Sequence, residues 1–193
     1  MAQEVLLFGD FVLKSGKRSP YFFNAGQFKT GESLSILAEF YADKIVESNI
    51  DYDLLFGPAY KGIPLVSAVC MALFKKYGVN KPFCFNRKEV KDHGEGGLIV
   101  GEKITNNSRV LIIDDVITRG TAFLESQKMI ESHGAVVAGV VISLDRQEKN
   151  PVEAQGIPIL SLLTVSELVQ DLEGRGERER EIADLIKKYL KGI

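Results

Sequence analysis

The sequence predicts an α/β domain in three layers, with a mostly parallel central sheet flanked by helices. Short apolar runs without alternation recur along the chain, which marks strands buried on both faces. Helical stretches separate them, which implies parallel crossovers. No linker, repeat or low-complexity tract divides the 193 residues, so residues 1–193 read as a single domain.

The elements follow in order. An extended pair is expected at residues 11–14 and 21–23, joined by a turn over 15–20 that contains Gly16 and Pro20. A helix over about 32–48 keeps Leu34, Leu37, Ala38, Tyr41 and Ile45 at near-helical spacing. Residues 53–56 form a short apolar strand ending in Gly57-Pro58. The helix over about 62–77 that comes next is closed by Gly78. Strands are expected at 82–86 and 110–113, the second leaving through Asp114-Asp115. A helix over about 120–132 stops at Gly134, and strands at 136–144 and 157–162 complete the sheet. A last helix over about 175–190 places Ile182, Leu185, Ile186, Tyr189 and Leu190 on one face. Its RGERERE run is a solvated surface with charge pairs four residues apart.

Composition narrows the function. Net charge is −2, so the molecule as a whole has no electrostatic case for nucleic acid or an anionic membrane. Cys70 and Cys84 sit in apolar surroundings and read as free thiols; with only His93 and His133 beside them, no zinc-ligand spacing exists. No secretory signal and no run long enough to span a bilayer is visible, which makes the cytoplasm the expected compartment.

The strongest motif is RVLIIDDVITRGTA, residues 109–122. An apolar strand delivers Asp114 and Asp115 to its carboxyl end, where open α/β sheets bind ligands. The hydroxyl-rich loop after it contains Gly120 and leads straight into a helix. Backbone amides there, backed by the helix dipole, suit a phosphate monoester. The aspartates suit the vicinal hydroxyls of a sugar and positive charge developing at its anomeric carbon. This is neither a P-loop nor a dinucleotide fingerprint, since neither glycine pattern is present. A second segment, FNRKEVKDHGEGG (85–97), crowds Arg87, Lys88, Lys91 and His93 ahead of three glycines. Such a cationic loop, over about 87–98, can close over a diphosphate and exclude water.

The 109–122 stretch resembles the signature of the type I phosphoribosyltransferases. SGKRSPYFFNAG (15–26), GPAYKGIP (57–64), FNRKEVKDHGEGG and SLDRQE (143–148) resemble, in order, the branch of that family that acts on orotate. The resemblance implies transfer of a phosphoribosyl group from 5-phosphoribosyl 1-diphosphate to orotate. The products would be orotidine 5'-monophosphate and diphosphate, a step of pyrimidine (UMP) biosynthesis. It implies the family fold, with a small N-terminal hood mainly within residues 1–30, helped by the C-terminus, and a mobile catalytic loop.

Residue roles follow by position. Lys14 resembles the lysine that reaches the phosphoribosyl ligand from the first hairpin, and Tyr60 and Lys61 match the loop that contacts diphosphate. Arg87, Lys88, Lys91 and His93 match the catalytic loop of a homodimer with shared sites, where Lys88 serves its own subunit and the other three the neighbour. Asp114, Asp115, Val116, Ile117, Thr118, Arg119, Gly120, Thr121 and Ala122 match the ribose and 5'-phosphate loop. Phe22, Phe23, Thr118 and Arg146 match the orotate contacts. Lys91, His93, Asp114 and Asp115 are the implied catalytic set. Mg2+ is the implied cofactor, held mainly through substrate oxygens. An arginine suits orotate because its planar fork grips a carboxylate with two parallel bonds.

The chain departs from the pattern in three places: its short lead into the hairpin, Arg119 where a small residue is usual, and a short stretch after Arg146. Two alternatives stay open at this point: transfer to a purine base, or a non-catalytic regulator that senses phosphoribosyl diphosphate.

Overall fold

The first apolar stretch pairs with the second as a ribbon apart from the main sheet. β1 (Leu6–Val12) runs antiparallel to β2 (Arg18–Phe23). The computed structural model describes residues 5–13, 16–91, 97–117, 120–148 and 156–192, and for Val90 and Lys91 the backbone alone. β1 starts five residues earlier than expected, and Gly9 and Asp10 are absorbed where the register shifts between Phe8 and Phe11. The turn contracts accordingly, with Gly16 N donating to Leu13 O at 2.8 Å, and Arg18, Ser19 and Pro20 belong to β2.

Thr30 opens α1 (Gly31–Ser48) with a capping box to Ser33. β3 (Leu54–Gly57) is wholly buried, and α2 (Gly62–Tyr77) ends as the sequence predicts, at Gly78 in the left-handed region. β4 (Phe83–Lys91) runs on past the expected end at 86 and returns as β5 (Gly97–Gly101), an antiparallel hairpin. The sequence hides this strand extension because it lies at the sheet edge, where charged side chains such as Lys88 and Glu89 stay in water. Residues 87–91 of the expected loop are therefore strand.

β6 (Arg109–Val116) carries both aspartates inside the strand, and α3 (Thr121–Ser132) follows through Gly120, at φ 70°. After β7 (Val136–Asp145) and β8 (Ile159–Thr164) comes α4 (Val165–Glu173), which the apolar periodicity did not reveal. Its signal was local: Thr164 and Glu167 form a capping box. α5 (Glu177–Lys191) is the charged terminal helix.

The sheet order is β5-β4-β3-β6-β7-β8, and every pair except β4–β5 is parallel. Successive residues of one strand point to opposite faces. Leu55, Leu111, Ile113 and Val141 pack under α1 and α2, whereas Leu54, Phe56, Val110 and Ile112 pack under α3. Both faces are covered, which is why these strands show no polar alternation. A third apolar cluster joins Tyr21 and Leu144 to Val165, Leu168, Leu172 and Ile186. Through it, α4 and α5 hold the β1–β2 ribbon over the carboxyl ends of the strands.

Candidate active site

A cleft of about 600 Å³ opens at those carboxyl ends, roofed by the ribbon. A second groove, about 490 Å³, lies between α1 and α2 with Glu39, Lys75 and Lys76 as its charged lining. It touches no strand end and holds none of the motif residues.

One wall of the cleft is the β3–α2 joint. A Cβ on Gly62 would come within 2.8 Å of the Gly57 carbonyl carbon and 2.6 Å of Pro58 Cδ. Only glycine permits so close a return of the chain. The tight joint presents Ala59, Tyr60 and Lys61 to the cleft, with Ala59 N donating to Asn86 Oδ1 at 2.9 Å. The Ala59–Tyr60 peptide is cis. Lys88, off the cleft itself, extends over the exposed Tyr60 ring, 5.1 Å from its centroid.

The acidic pair forms the floor. Asp115 is buried, and Lys61 Nζ reaches its Oδ2 at 2.7 Å. Asp114 Oδ1 accepts from the Asp115 amide at 2.9 Å. Burial, and then the neighbouring charge of Asp115, push the Asp114 carboxyl up to about 7. Tyr41 anchors this floor from α1: its hydroxyl donates to the Asp114 carbonyl at 2.7 Å and meets Ser143 Oγ at 2.7 Å. The periodicity marked Tyr41 only as apolar. Its hydroxyl was the overlooked signal, because a buried phenol needs a partner.

Beyond the pair, Val116, Ile117, Gly120, Thr121 and Ala122 line the cleft. The Ile117 side chain packs in the core, so its backbone is what faces a ligand. Gly120 caps α3 without a side-chain bond, which leaves the first-turn amides directed at the cleft.

The opposite wall holds Phe22 and Phe23 of β2 with Arg146, just past β7. As a free-standing feature of LDRQEK, Arg146 reads as a surface residue, yet only 4% of it is exposed. Its guanidinium lies over the Tyr21 ring at 4.5 Å, and its Nε donates to Glu148 Oε1 at 2.8 Å. The Phe22 ring tilts against Phe11 with centroids 5.7 Å apart.

Arg87, in β4, does not line the cleft; its Nη1 donates to Gly97 O at 3.3 Å across the hairpin. Lys14, His93, Thr118 and Arg119, together with the Lys91 side chain, lie outside the described residues.

A cleft floored by an acidic pair and a glycine-capped helix start, at the strand ends of a parallel sheet, has the form of a phosphoribosyltransferase site, and residues 24–159 match the family described as the Phosphoribosyl transferase domain. The chain is 48% identical to the orotate phosphoribosyltransferase of Shigella dysenteriae serotype 1, over 98% of this chain and 92% of that protein. It is 49% identical to that of Salmonella arizonae, over 94% and 88%. The crystal structure of the Francisella tularensis orotate phosphoribosyltransferase matches with a TM-score of 0.86 at 42% identity, covering 98% of this chain and 94% of that one. The chain belongs to the orotate phosphoribosyltransferases.

Proposed function

We propose that this cleft transfers the 5-phosphoribosyl group of 5-phosphoribosyl 1-diphosphate to N1 of orotate, releasing diphosphate and forming orotidine 5'-monophosphate for pyrimidine biosynthesis. The observation that carries this reading is the convergence in one cleft of buried Arg146, the Asp114–Asp115 pair and the glycine-capped start of α3. A planar anion, a polyhydroxylated sugar and a phosphate monoester each find a matching partner there.

The first-turn amides of α3 receive the 5'-phosphate. Asp114 and Asp115 accept hydrogen bonds from the ribose hydroxyls and stabilise positive charge as the bond to diphosphate loosens. Arg146 grips orotate, and Phe22 and Phe23 border the base. Tyr60 and Lys61 meet the diphosphate, and the loop residues Lys91 and His93 meet the charge building on it.

Magnesium suits this donor set. Two carboxylates at the floor are hard oxygen ligands. That arrangement fits an ion carried mostly on substrate oxygens and waters, near Asp114 and Asp115. When bound, it supplies charge neutralisation of the diphosphate.

The working unit is a homodimer with shared sites. Arg87 supports this, since it sits on an edge hairpin and lies off its own cleft, while Lys88 leans on Tyr60 of the same cleft. Among the described residues no helix is long and apolar enough to cross a membrane. The two free cysteines support a cytoplasmic setting.

The test is loss of orotate absorbance on adding 5-phosphoribosyl 1-diphosphate and magnesium. Uracil and hypoxanthine serve as controls. Turnover of hypoxanthine without orotate would sink the reading.

A further inference from the structure

The segment Arg146-Gln147-Glu148 is pinned at every residue. Gln147 takes a left-handed backbone, φ 54°, which a non-glycine residue holds only when its surroundings impose it. Asp145 Oδ1 accepts its amide at 2.7 Å, and its own Oε1 accepts from Ser166 N and Oγ at 2.9 and 2.6 Å, at the start of α4. Glu148 is held from the other terminal helix. Its Oε1 accepts from the Tyr189 hydroxyl of α5 at 2.9 Å and from Arg146 Nε at 2.8 Å.

The consequence falls on Arg146. A guanidinium can offer an anion either its Nε–Nη2 edge or its Nη1–Nη2 edge. Glu148 takes Nε, and the Tyr21 ring covers one face. Nη2 has two long contacts at 3.4 Å, to Ser19 Oγ and Tyr189 OH, and no bond from Nη1 is recorded among the described residues. The Nη1–Nη2 edge is therefore the one available to a ligand. Glu148 also balances the charge of an almost fully buried arginine, so the site selects by the geometry of a bidentate acceptor more than by net charge.

We infer that Glu148, held by Tyr189, is a positioning residue that turns one edge of Arg146 toward the base and so makes the C-terminal helix part of base recognition. This rests on the reading of the cleft given above. The proton stays on Arg146 throughout; Glu148 acts by holding, not by transfer.

The experiment compares native protein, Glu148→Ala, Glu148→Gln and Tyr189→Phe in steady-state kinetics, with KM for each substrate measured separately. Glu148→Ala raises KM for orotate by about tenfold or more, and Glu148→Gln recovers most of that because its amide oxygen still accepts from Nε. Tyr189→Phe, which keeps the ring that packs edge-on against Tyr21, raises it about threefold. KM for 5-phosphoribosyl 1-diphosphate and kcat stay within about twofold. An unchanged orotate KM in both Glu148→Ala and Tyr189→Phe overturns the inference, as does a proportional rise in both KM values. Should Glu148→Ala fail to fold, Tyr189→Phe decides alone. Native protein that consumes no orotate sinks the functional reading instead, and is seen before any variant is compared.

Discussion

Lys61 Nζ lies 2.7 Å from Oδ2 of Asp115, across the gap between the β3–α2 joint and the end of β6. The two residues are 54 positions apart in sequence, and both belong to segments singled out by their motifs. Lys61 therefore sets the electrostatics of the acidic floor besides the diphosphate contact proposed for it. Its charge holds Asp114 below where burial and Asp115 would otherwise drive it. Lys61→Met removes that restraint. The acidic limb of the kcat/KM profile for 5-phosphoribosyl 1-diphosphate moves to higher pH, and activity falls at all pH values. A profile with an unmoved limb would separate Lys61 from the pair.

Asp114 carries a second pH effect, on stability. Its carboxyl titrates at about 7 in the fold against an ordinary 3.8, so the folded state binds this proton more tightly than the unfolded chain. The contribution to stability is thus fully present below pH 3.8 and is lost as pH rises through about 7. Asp114→Asn keeps an oxygen for the Asp115 amide but cannot ionise. Its Tm exceeds the native value above neutrality, and the gap closes in acid. Turnover of the variant drops by more than about tenfold, since the charged acceptor proposed for the ribose is gone. Equal Tm differences in acid and base would refute the titration.

Gly62 tests the joint that presents Tyr60 and Lys61. A methyl group there meets backbone at 2.8 Å and the Pro58 ring at 2.6 Å, so the chain has to move. Gly62→Ala costs about 1–3 kcal/mol in denaturant unfolding, as overpacking does. KM for 5-phosphoribosyl 1-diphosphate rises as well. Native stability in this variant would mean the joint has slack that its contacts do not suggest.

Lys91 is proposed as the loop cation with the largest effect on departure of diphosphate. Lys91→Ala lowers kcat by more than about tenfold with modest change in either KM, the pattern of an interaction made in the transition state. Unchanged turnover would remove it from the catalytic set.

Thr164 provides a contrast away from the chemistry. Thr164→Ala deletes the capping box with Glu167 and costs about 0.5–2 kcal/mol of stability. Turnover at moderate temperature is retained, and chemical denaturation with an activity assay checks both halves.

The Arg146 environment shows where sequence reasoning stopped. The motif SLDRQE pointed to the arginine, but nothing local revealed that Tyr21, Ser19 and Tyr189, from the two ends of the chain, would surround it. Tyr41 stayed hidden among the apolar positions of α1 because periodicity reports burial and not the fate of one hydroxyl. The β4–β5 hairpin escaped for the opposite reason: charged residues at a sheet edge look like a loop.

What the chain's own residues determine is the layered α/β class, the α2 helix to its ends and the acidic strand end that feeds a glycine-capped helix. Each rests on contacts between near neighbours: hydrophobic period, capping and turn geometry, which a linear reading can follow. The tertiary structure alone decided that Lys61 meets Asp115, that Tyr41 supports Asp114, and that α5 reaches Arg146 through Glu148. Those pairings join residues from separate elements, and they arise only once the packing of the helices and the ribbon brings strand ends and termini around one cleft.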